Sequence, residues 1–227
     1  MSPRANIYLQ CIIGTGIFLL LSGLTEFSTA DLPQFFAYLF AAIVSATWKY
    51  NIPEVPVTYS PILVFIMIGI ANYSLGEALV MGCAASLVQC LWRSKERQSR
   101  RKIMFSMAVV AIGITIAYNP AHFVLSQGLQ YAPRMLSLAA VVYFIVTTGL
   151  MSGMIALVED ELCAPIWKKI VRYSLPYDLA AGLIAALMIV VNRLWGWEAG
   201  LLIVPPLYLA YRFYGFYLTK RTTEAAL

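Results

Sequence analysis

The fold is decided by residues 61–92, which read PILVFIMIGIANYSLGEALVMGCAASLVQCLW. This apolar tract is too long for one ordinary membrane-crossing helix, which needs about 20 residues because the hydrocarbon layer is about 30 Å thick. A break is encoded inside the tract, since Ser74 and Glu77 form the Ser-x-x-Glu pattern of a capping box that starts a new helix. We therefore predict a helix over 60–73 and a second over 75–92, both short.

The composition of the whole chain indicates lipid as its solvent. Of 227 residues, 61% are hydrophobic and 12% are charged, whereas a soluble globular domain is about 45–50% apolar and about 25% charged. So much apolar surface cannot all be hidden in one core of this size. The sequence predicts an all-α integral membrane protein, with residues 1–227 forming a single polytopic transmembrane domain whose first partner is the lipid bilayer.

Six more apolar segments flank the central tract and bring the predicted spans to eight. They cover residues 6–25, 33–48, 103–118, 134–158, 175–193 and 198–217. Two of them begin where an N-cap type of residue shortly precedes a proline, at Asp31 before Pro33 and at Ser174 before Pro176. Residues 120–132 are either re-entrant or interfacial, and residues 159–173 are predicted to be an amphipathic helix on the inner surface.

The basic residues predict the orientation of these spans. With the N-terminus inside and eight crossings, the inner segments include a run of six Lys and Arg over 93–102 and three over 168–172. The outer segments hold only Arg134 and Arg193. Positive charge concentrates in cytoplasmic loops, so both termini are predicted to be cytoplasmic, in a multi-pass protein of the bacterial cytoplasmic membrane. The net charge of +5 is explained by this placement, and no nucleic-acid partner is expected.

Charged and tyrosine side chains within the predicted spans are the candidate ligand-binding or transport residues. Glu77 is either part of a helix cap or a proton or cation site. Asp178 either complements a helix dipole or faces the bundle as a ligand or coupling residue. Arg212 either extends to the headgroups or, with Tyr208 and Tyr211, binds an anion.

Other residues carry predicted structural roles. Pro205 and Pro206 lie in the middle of the last predicted span and are expected to kink it as a hinge. Gly149 and Gly153 predict close helix packing. His122, the single histidine, is interpreted as a surface residue. No catalytic residue, cofactor or metal is expected, because nucleotide-binding and metal-protease motifs are absent and the four cysteines lack metal-ligand spacing.

Several stretches resemble the multi-helix membrane input regions that precede bacterial GGDEF diguanylate cyclase or HD-type phosphohydrolase domains. They are LGEALV at 75–80, LVQCLW at 87–92 followed by a basic loop, SLPYD at 174–178 with AAGL at 180–183, and PPLYLAYRFYGFYL at 205–218. The resemblance covers residues 32–218. The chain departs from that family at Ser106, where Asn often follows the preceding Phe, and only nine residues follow Leu218.

The resemblance implies a sensory or regulatory membrane protein, which we expect to be a stand-alone module that signals to a cytoplasmic enzyme. Its other expected partner is a second copy of the chain, in a homo-oligomer. The alternative is a small permease or transporter subunit for a small solute or ion, in which Glu77 and Asp178 line the path.

Overall fold

The protein is a bundle of helices with one very short strand pair. The computed structural model describes residues 2–28, 31–51, 58–92, 99–125 and 132–213. The helices are α1 (Pro3–Leu24), α2 (Leu32–Ala46), α3 (Ile62–Asn72), α4 (Leu75–Leu91), α5 (Arg100–Leu125), α6 (Ala132–Glu159), α7 (Cys163–Trp195), α8 (Trp197–Leu201) and α9 (204–213). Strands β1 (Tyr50–Asn51) and β2 (Thr58–Tyr59) pair antiparallel.

Four helical segments are long and apolar enough to cross a membrane. They are Pro3–Leu24, Arg100–His122, Arg134–Glu159 and Ser174–Trp195. Helices α2, α3 and α4 are also apolar but shorter. Many large apolar side chains on the outside of the bundle are exposed, among them Phe18, Phe40 and Leu183, as expected for helices that face lipid. The helical fold class and the presence of apolar membrane-length helices agree with the sequence prediction.

Helix α3 is the core of the bundle. Its residues 62–70 are all buried, and it contacts α2, α4, α5, α6 and α7. A helix that is apolar on every side is stable only when protein or lipid surrounds it completely. With 11 residues it is about 16 Å long, so it is shorter than the hydrocarbon layer and is enclosed by longer neighbours.

The predicted break between α3 and α4 is confirmed. Tyr73 and Ser74 have extended backbone conformations, and α4 begins at Leu75 with the capping box formed. Gly76 in the first turn of α4 lies directly against the carbonyl of Gly23 at the end of α1, where a Cβ atom would overlap that oxygen. The end of α1 therefore meets the start of α4.

Contacts between successive helices show that they alternate in direction. Ser2 Oγ lies 3.4 Å from the carbonyl oxygen of Leu157, so the start of α1 meets the end of α6. We call this end of the bundle the Lys49 end, and it also includes the ends of α2 and α4 and Tyr211 of α9. The opposite end, the Glu77 end, holds the end of α1, the start of α4, and His122 and Asn192 near the ends of α5 and α7.

The predicted separate amphipathic helix over 159–173 is wrong. A single helix, α7, runs from Cys163 to Trp195 and passes through Pro176. The reason is a continuous buried face, since Ile170, Ala181, Ala185 and Met188 lie on the same side and pack into the bundle. Similarly, α5 continues past Pro120 to Leu125, and residues 126–131 of the predicted re-entrant or interfacial segment lie outside the described residues.

The last predicted span is not one kinked helix. Helix α8 ends at Leu201, and the N–H groups of Leu202 and Ile203 bond to the carbonyls of Ala199 and Gly200 in a turn. Pro205 and Pro206 then lie in the first turn of α9, where a proline costs no helical hydrogen bond. The prolines start a helix instead of bending one. Residues 214–217 of this span lie outside the described residues.

Close packing of α1 against α5 gives a direct test of the bundle. A Cβ atom at Gly16 would lie 2.5 Å from the Cα atom of Ala108. We expect Gly16→Ala to force the helices apart and to lower the melting temperature in detergent by several degrees, because overpacking costs about 1–3 kcal/mol. The matched control is Gly14→Ala on the same helix, since nothing lies within 4 Å of its Cβ position. Equal melting temperatures for the two variants would contradict this packing.

Candidate functional site

Glu77 is a buried acidic residue at the start of α4. It is 2% exposed, and its Oε2 accepts hydrogen bonds from the N–H of Ser74 at 2.9 Å and from the Ser74 hydroxyl at 2.7 Å. The Ser74 hydroxyl oxygen accepts in turn from the N–H of Glu77 at 3.4 Å. This reciprocal pattern satisfies two helix-start N–H groups. It accounts for one oxygen of a carboxylate that would otherwise be costly to bury.

Side chains of α5 cover the end of α3 beside this cap. His122 Nε2 lies 2.8 Å from the carbonyl oxygen of Ile70, and because a carbonyl only accepts, this nitrogen carries the proton. The Tyr118 hydroxyl donates to the carbonyl of Tyr73 at 3.1 Å. The rings of Tyr118 and His122 stack with centroids 4.0 Å apart. His122 is therefore half-buried and caps carbonyls that the helix itself leaves free. The sequence interpretation of His122 as a surface residue missed this role.

A second group of polar atoms lies at the same end, around Tyr38 of α2. The Tyr38 hydroxyl lies 2.9 Å from Asn192 Oδ1 and 3.2 Å from the carbonyl oxygen of Trp197. Gly200 of α8 packs so closely that a Cβ atom would lie 2.6 Å from the Tyr38 hydroxyl and would overlap the Asn192 amide. Tyr38 thus joins α2 to the end of α7 and to α8.

One buried polar atom beside Tyr38, the amide nitrogen of Asn192, has no hydrogen-bond partner among the described residues. The Tyr73 hydroxyl, on the other side of Tyr38, lies beside the Gln34 side chain. The rings of Tyr38 and Tyr73 are 6.4 Å apart, and Tyr38 holds the Asn192 amide through its oxygen. Leaving a buried amide N–H group unpaired costs about 1–3 kcal/mol. We call Tyr38, Tyr73, Glu77 and Asn192 the Glu77-end cluster.

The tyrosines of α9 lie at the opposite end of the bundle. Trp48 stacks on Tyr211 with centroids 6.3 Å apart and lies 5.0 Å from the Tyr208 ring. The Tyr211 hydroxyl donates to the carbonyl of Lys49 at 3.2 Å, and the Lys49 ammonium donates to the carbonyl of Gln89 at 3.1 Å. A cation at the end of α4 is favourable because it complements the helix dipole. Arg212 is exposed, so it does not share this cluster with Tyr211.

The third candidate position is Asp178 on α7. It is half-buried, it lies near Tyr143 of α6, and it forms no hydrogen bond or ion pair with any residue that the structure describes. Its element, Ser174–Trp195, is one of the four membrane-length segments. The candidate residues predicted from sequence are therefore distributed over three places, and Glu77, Asp178 and Arg212 do not form one site.

The glycine pair of α6 makes one close contact. A Cβ atom at Gly153 would lie 2.9 Å from the Tyr8 hydroxyl of α1, whereas nothing lies within 4 Å of the Cβ position of Gly149. The Tyr8 hydroxyl donates to the carbonyl of Leu150 at 3.1 Å. The predicted helix contact at this pair is thus made through Gly153 alone.

Within the described ranges, no group of three or more His, Cys, Asp or Glu side chains could hold a metal ion. Comparison of the chain with protein-family models, with curated proteins and with solved structures gives no match.

Substitutions at Ser74 and Glu77 distinguish a structural role of Glu77 from a role that depends on its charge. We expect Ser74→Ala to lower the melting temperature by several degrees, because removing a cap costs about 1 kcal/mol and leaves a buried carboxylate with fewer donors. Glu77→Gln should retain the melting temperature, since glutamine also completes a capping box. The control is Ser22→Ala on an exposed position of α1. A Ser74→Ala protein as stable as that control would contradict the cap.

Proposed function

We propose that the chain is a membrane-embedded sensory or regulatory module that passes a signal to a cytoplasmic partner through its C-terminal segment. The observation that carries this proposal is that α2 and the residues just past it contact the last part of the chain at two separate levels. Tyr38, in the middle of α2, bonds to Asn192 and Trp197. The carbonyl of Lys49, just past its end, accepts from Tyr211. A change at the Glu77-end cluster is thereby connected to α9 over about 16 Å.

The proposed topology has eight crossings with both termini in the cytoplasm, in a bacterial cytoplasmic membrane. The alternating helix directions support it, since the start of α1 and Tyr211 lie at the same end of the bundle. In this orientation the Lys49 end is the inner end, and the basic segments 93–102 and 168–172 follow the positive-inside rule. The short helices α3 and α4 would then cross only because longer helices surround them.

The input of the proposed sensor is the Glu77-end cluster. The unpaired amide nitrogen of Asn192 supplies a binding group for a small polar ligand, and the Tyr38 hydroxyl lies beside it. A ligand biases a two-state protein only through its different affinity for the two states. Here that difference would come from the Tyr38–Asn192 bond, which a ligand on the Asn192 amide would strengthen or replace.

The proposed output is a separate signalling enzyme. The resemblance of 32–218 to input regions of diguanylate cyclases and HD-type phosphohydrolases supports an enzyme of cyclic-dinucleotide metabolism as the cytoplasmic partner. The chain itself supplies a conformational change in this proposal and carries out no reaction.

Gly200 offers a test of the coupling between the two ends. We expect Gly200→Ala to displace the Asn192 amide and the Tyr38 hydroxyl, because its Cβ atom would overlap the first and crowd the second. An environment-sensitive fluorophore is attached at Thr222→Cys in a background with the four native cysteines replaced by alanine. Its emission maximum should shift in Gly200→Ala relative to the parent.

The matched control for this experiment is Gly149→Ala, whose Cβ atom meets nothing within 4 Å. The fluorophore should then report the same environment as in the parent. Identical spectra for Gly200→Ala, Gly149→Ala and the parent would refute coupling of the Glu77 end to the C-terminal segment.

Asp178 supports a second candidate function, a small permease. Ionisable residues inside membrane-length helices are costly and mark substrate or ion pathways, and Asp178 has neither a hydrogen bond nor an ion pair with the described part of the chain. As a permease, the protein would bind a proton or small cation at this carboxylate between α6 and α7.

The permease alternative predicts that Asp178→Asn abolishes ion flux while the protein remains folded. The measurement is proton uptake into proteoliposomes under a potassium diffusion potential, followed with an entrapped pH dye, and repeated with sodium. The control is Glu159→Gln, at the exposed last residue of α6. Absence of flux in the parent protein, or equal flux in parent and Asp178→Asn, would remove this alternative and leave the sensor proposal unaffected.

A further inference from the structure

An open cleft lies at the Lys49 end, between the start of α1, the end of α6 and the turn into α7. Its volume is about 650 Å³, which is in the range of small-molecule sites. The floor is formed by small residues of α6, Gly153 and Ala156, and Tyr8 forms one side. None of the residues discussed for the sensor or the permease lines this cleft.

The walls of the cleft carry charges of both signs. Arg4 comes from the first turn of α1, and Asp160 and Glu161 come from the α6–α7 turn. None of the three forms an ion pair with another described residue. The turn is well defined, because Asp160 has a left-handed backbone (φ 56°) and the N–H of Glu161 bonds to the carbonyl of Ala156 at 3.1 Å. Asp160 and Glu161 thus line the cleft from the α6–α7 turn, and Arg4 lines it from α1.

Exposed apolar side chains lie next to lining residues of the cleft in the chain, and Leu162 lines it directly. Ile7 shares a helix face with Arg4 and Tyr8, and it is 61% exposed. Val158 and Leu162 on the other side are 55% and 78% exposed. A charged cleft bordered by apolar surface at the end of a membrane-length helix is the environment in which a lipid headgroup meets its acyl chains.

We propose that this cleft binds a zwitterionic phospholipid with a primary ammonium, of the phosphatidylethanolamine class. Arg4 binds the phosphate, and Asp160 and Glu161 accept hydrogen bonds from the ammonium. The acyl chains cover Ile7, Val158 and Leu162. The inference requires only that the protein lies in a membrane, so it stands apart from the sensor proposal.

The same contacts disfavour the other common headgroups. An anionic headgroup would meet two carboxylates against one guanidinium. A choline headgroup has no N–H group to donate, and it is usually held by several aromatic rings, whereas Tyr8 is the one aromatic residue among the described lining residues. Selectivity for a primary ammonium over both alternatives is therefore the distinguishing property of the proposed site.

The test is native mass spectrometry of the full chain. The protein in detergent is incubated with an equimolar mixture of phosphatidylethanolamine, phosphatidylcholine and phosphatidylglycerol, and the detergent is removed in the instrument. The expected result is one tightly retained phosphatidylethanolamine, favoured by about tenfold over each of the other lipids, the value of one charge-assisted hydrogen bond. Arg4→Gln should reduce this retention by a similar factor. The double variant Asp160→Asn with Glu161→Gln should shift the preference to phosphatidylglycerol, since only the guanidinium remains.

These substitutions lie on exposed positions, and asparagine tolerates the left-handed backbone at position 160, so the variants should melt like the parent. Lys168→Gln, at an exposed position of α7, is the control that should keep the parent selectivity. Equal lipid selectivity in the parent and both cleft variants would overturn the proposal. Displacement of the lipid by millimolar glycerophosphoethanolamine would also overturn it, because a soluble headgroup would then be the ligand.

Discussion

The burial of residues 62–70 of α3 is the constraint on which the rest of the structure depends. A helix enclosed in this way leaves backbone groups free at its ends, and neighbouring side chains can satisfy them where they cover the ends. At the Glu77 end this is done by His122, by Tyr118 and by the turn that leads into the Ser74 cap. The positions of α4 and α5 are fixed by this requirement as much as by apolar packing.

Local chemistry explains which parts of the fold could be predicted from sequence. The break at Ser74 was predictable because both members of the capping box lie within four residues of each other. The long apolar helices were predictable because composition alone identifies them. The prediction of His122 as a surface residue missed its hydrogen bond, because its partner, Ile70, is 52 residues away in a different helix. No local sequence pattern reports such a contact.

The errors at Pro176 and Pro205 have a common cause. Local preference predicts a helix start at Pro176 and a kink at Pro205, but packing over a longer distance decides both outcomes. At Pro176 the apolar face on both sides is in register, so the helix continues. At Pro205 the backbone of Gly200 must approach Tyr38 and Asn192 closely, and the chain turns after this contact before α9 begins. The candidate site could not be assembled from sequence, because Tyr38 and Asn192 carry no motif and meet only in the folded bundle.

The Tyr38–Asn192 contact also sets an order for biogenesis. The two residues are 154 positions apart, and at about 5–20 residues per second the ribosome needs about 8–30 s to make the intervening chain. Throughout this time α2 has emerged while the acceptors of its tyrosine hydroxyl do not yet exist. The nascent chain therefore passes through a stage in which the Tyr38 hydroxyl must be hydrogen-bonded by water or by the insertion machinery. Ribosome-bound intermediates that end before residue 192 are the species in which α2 is least stable inside the bilayer.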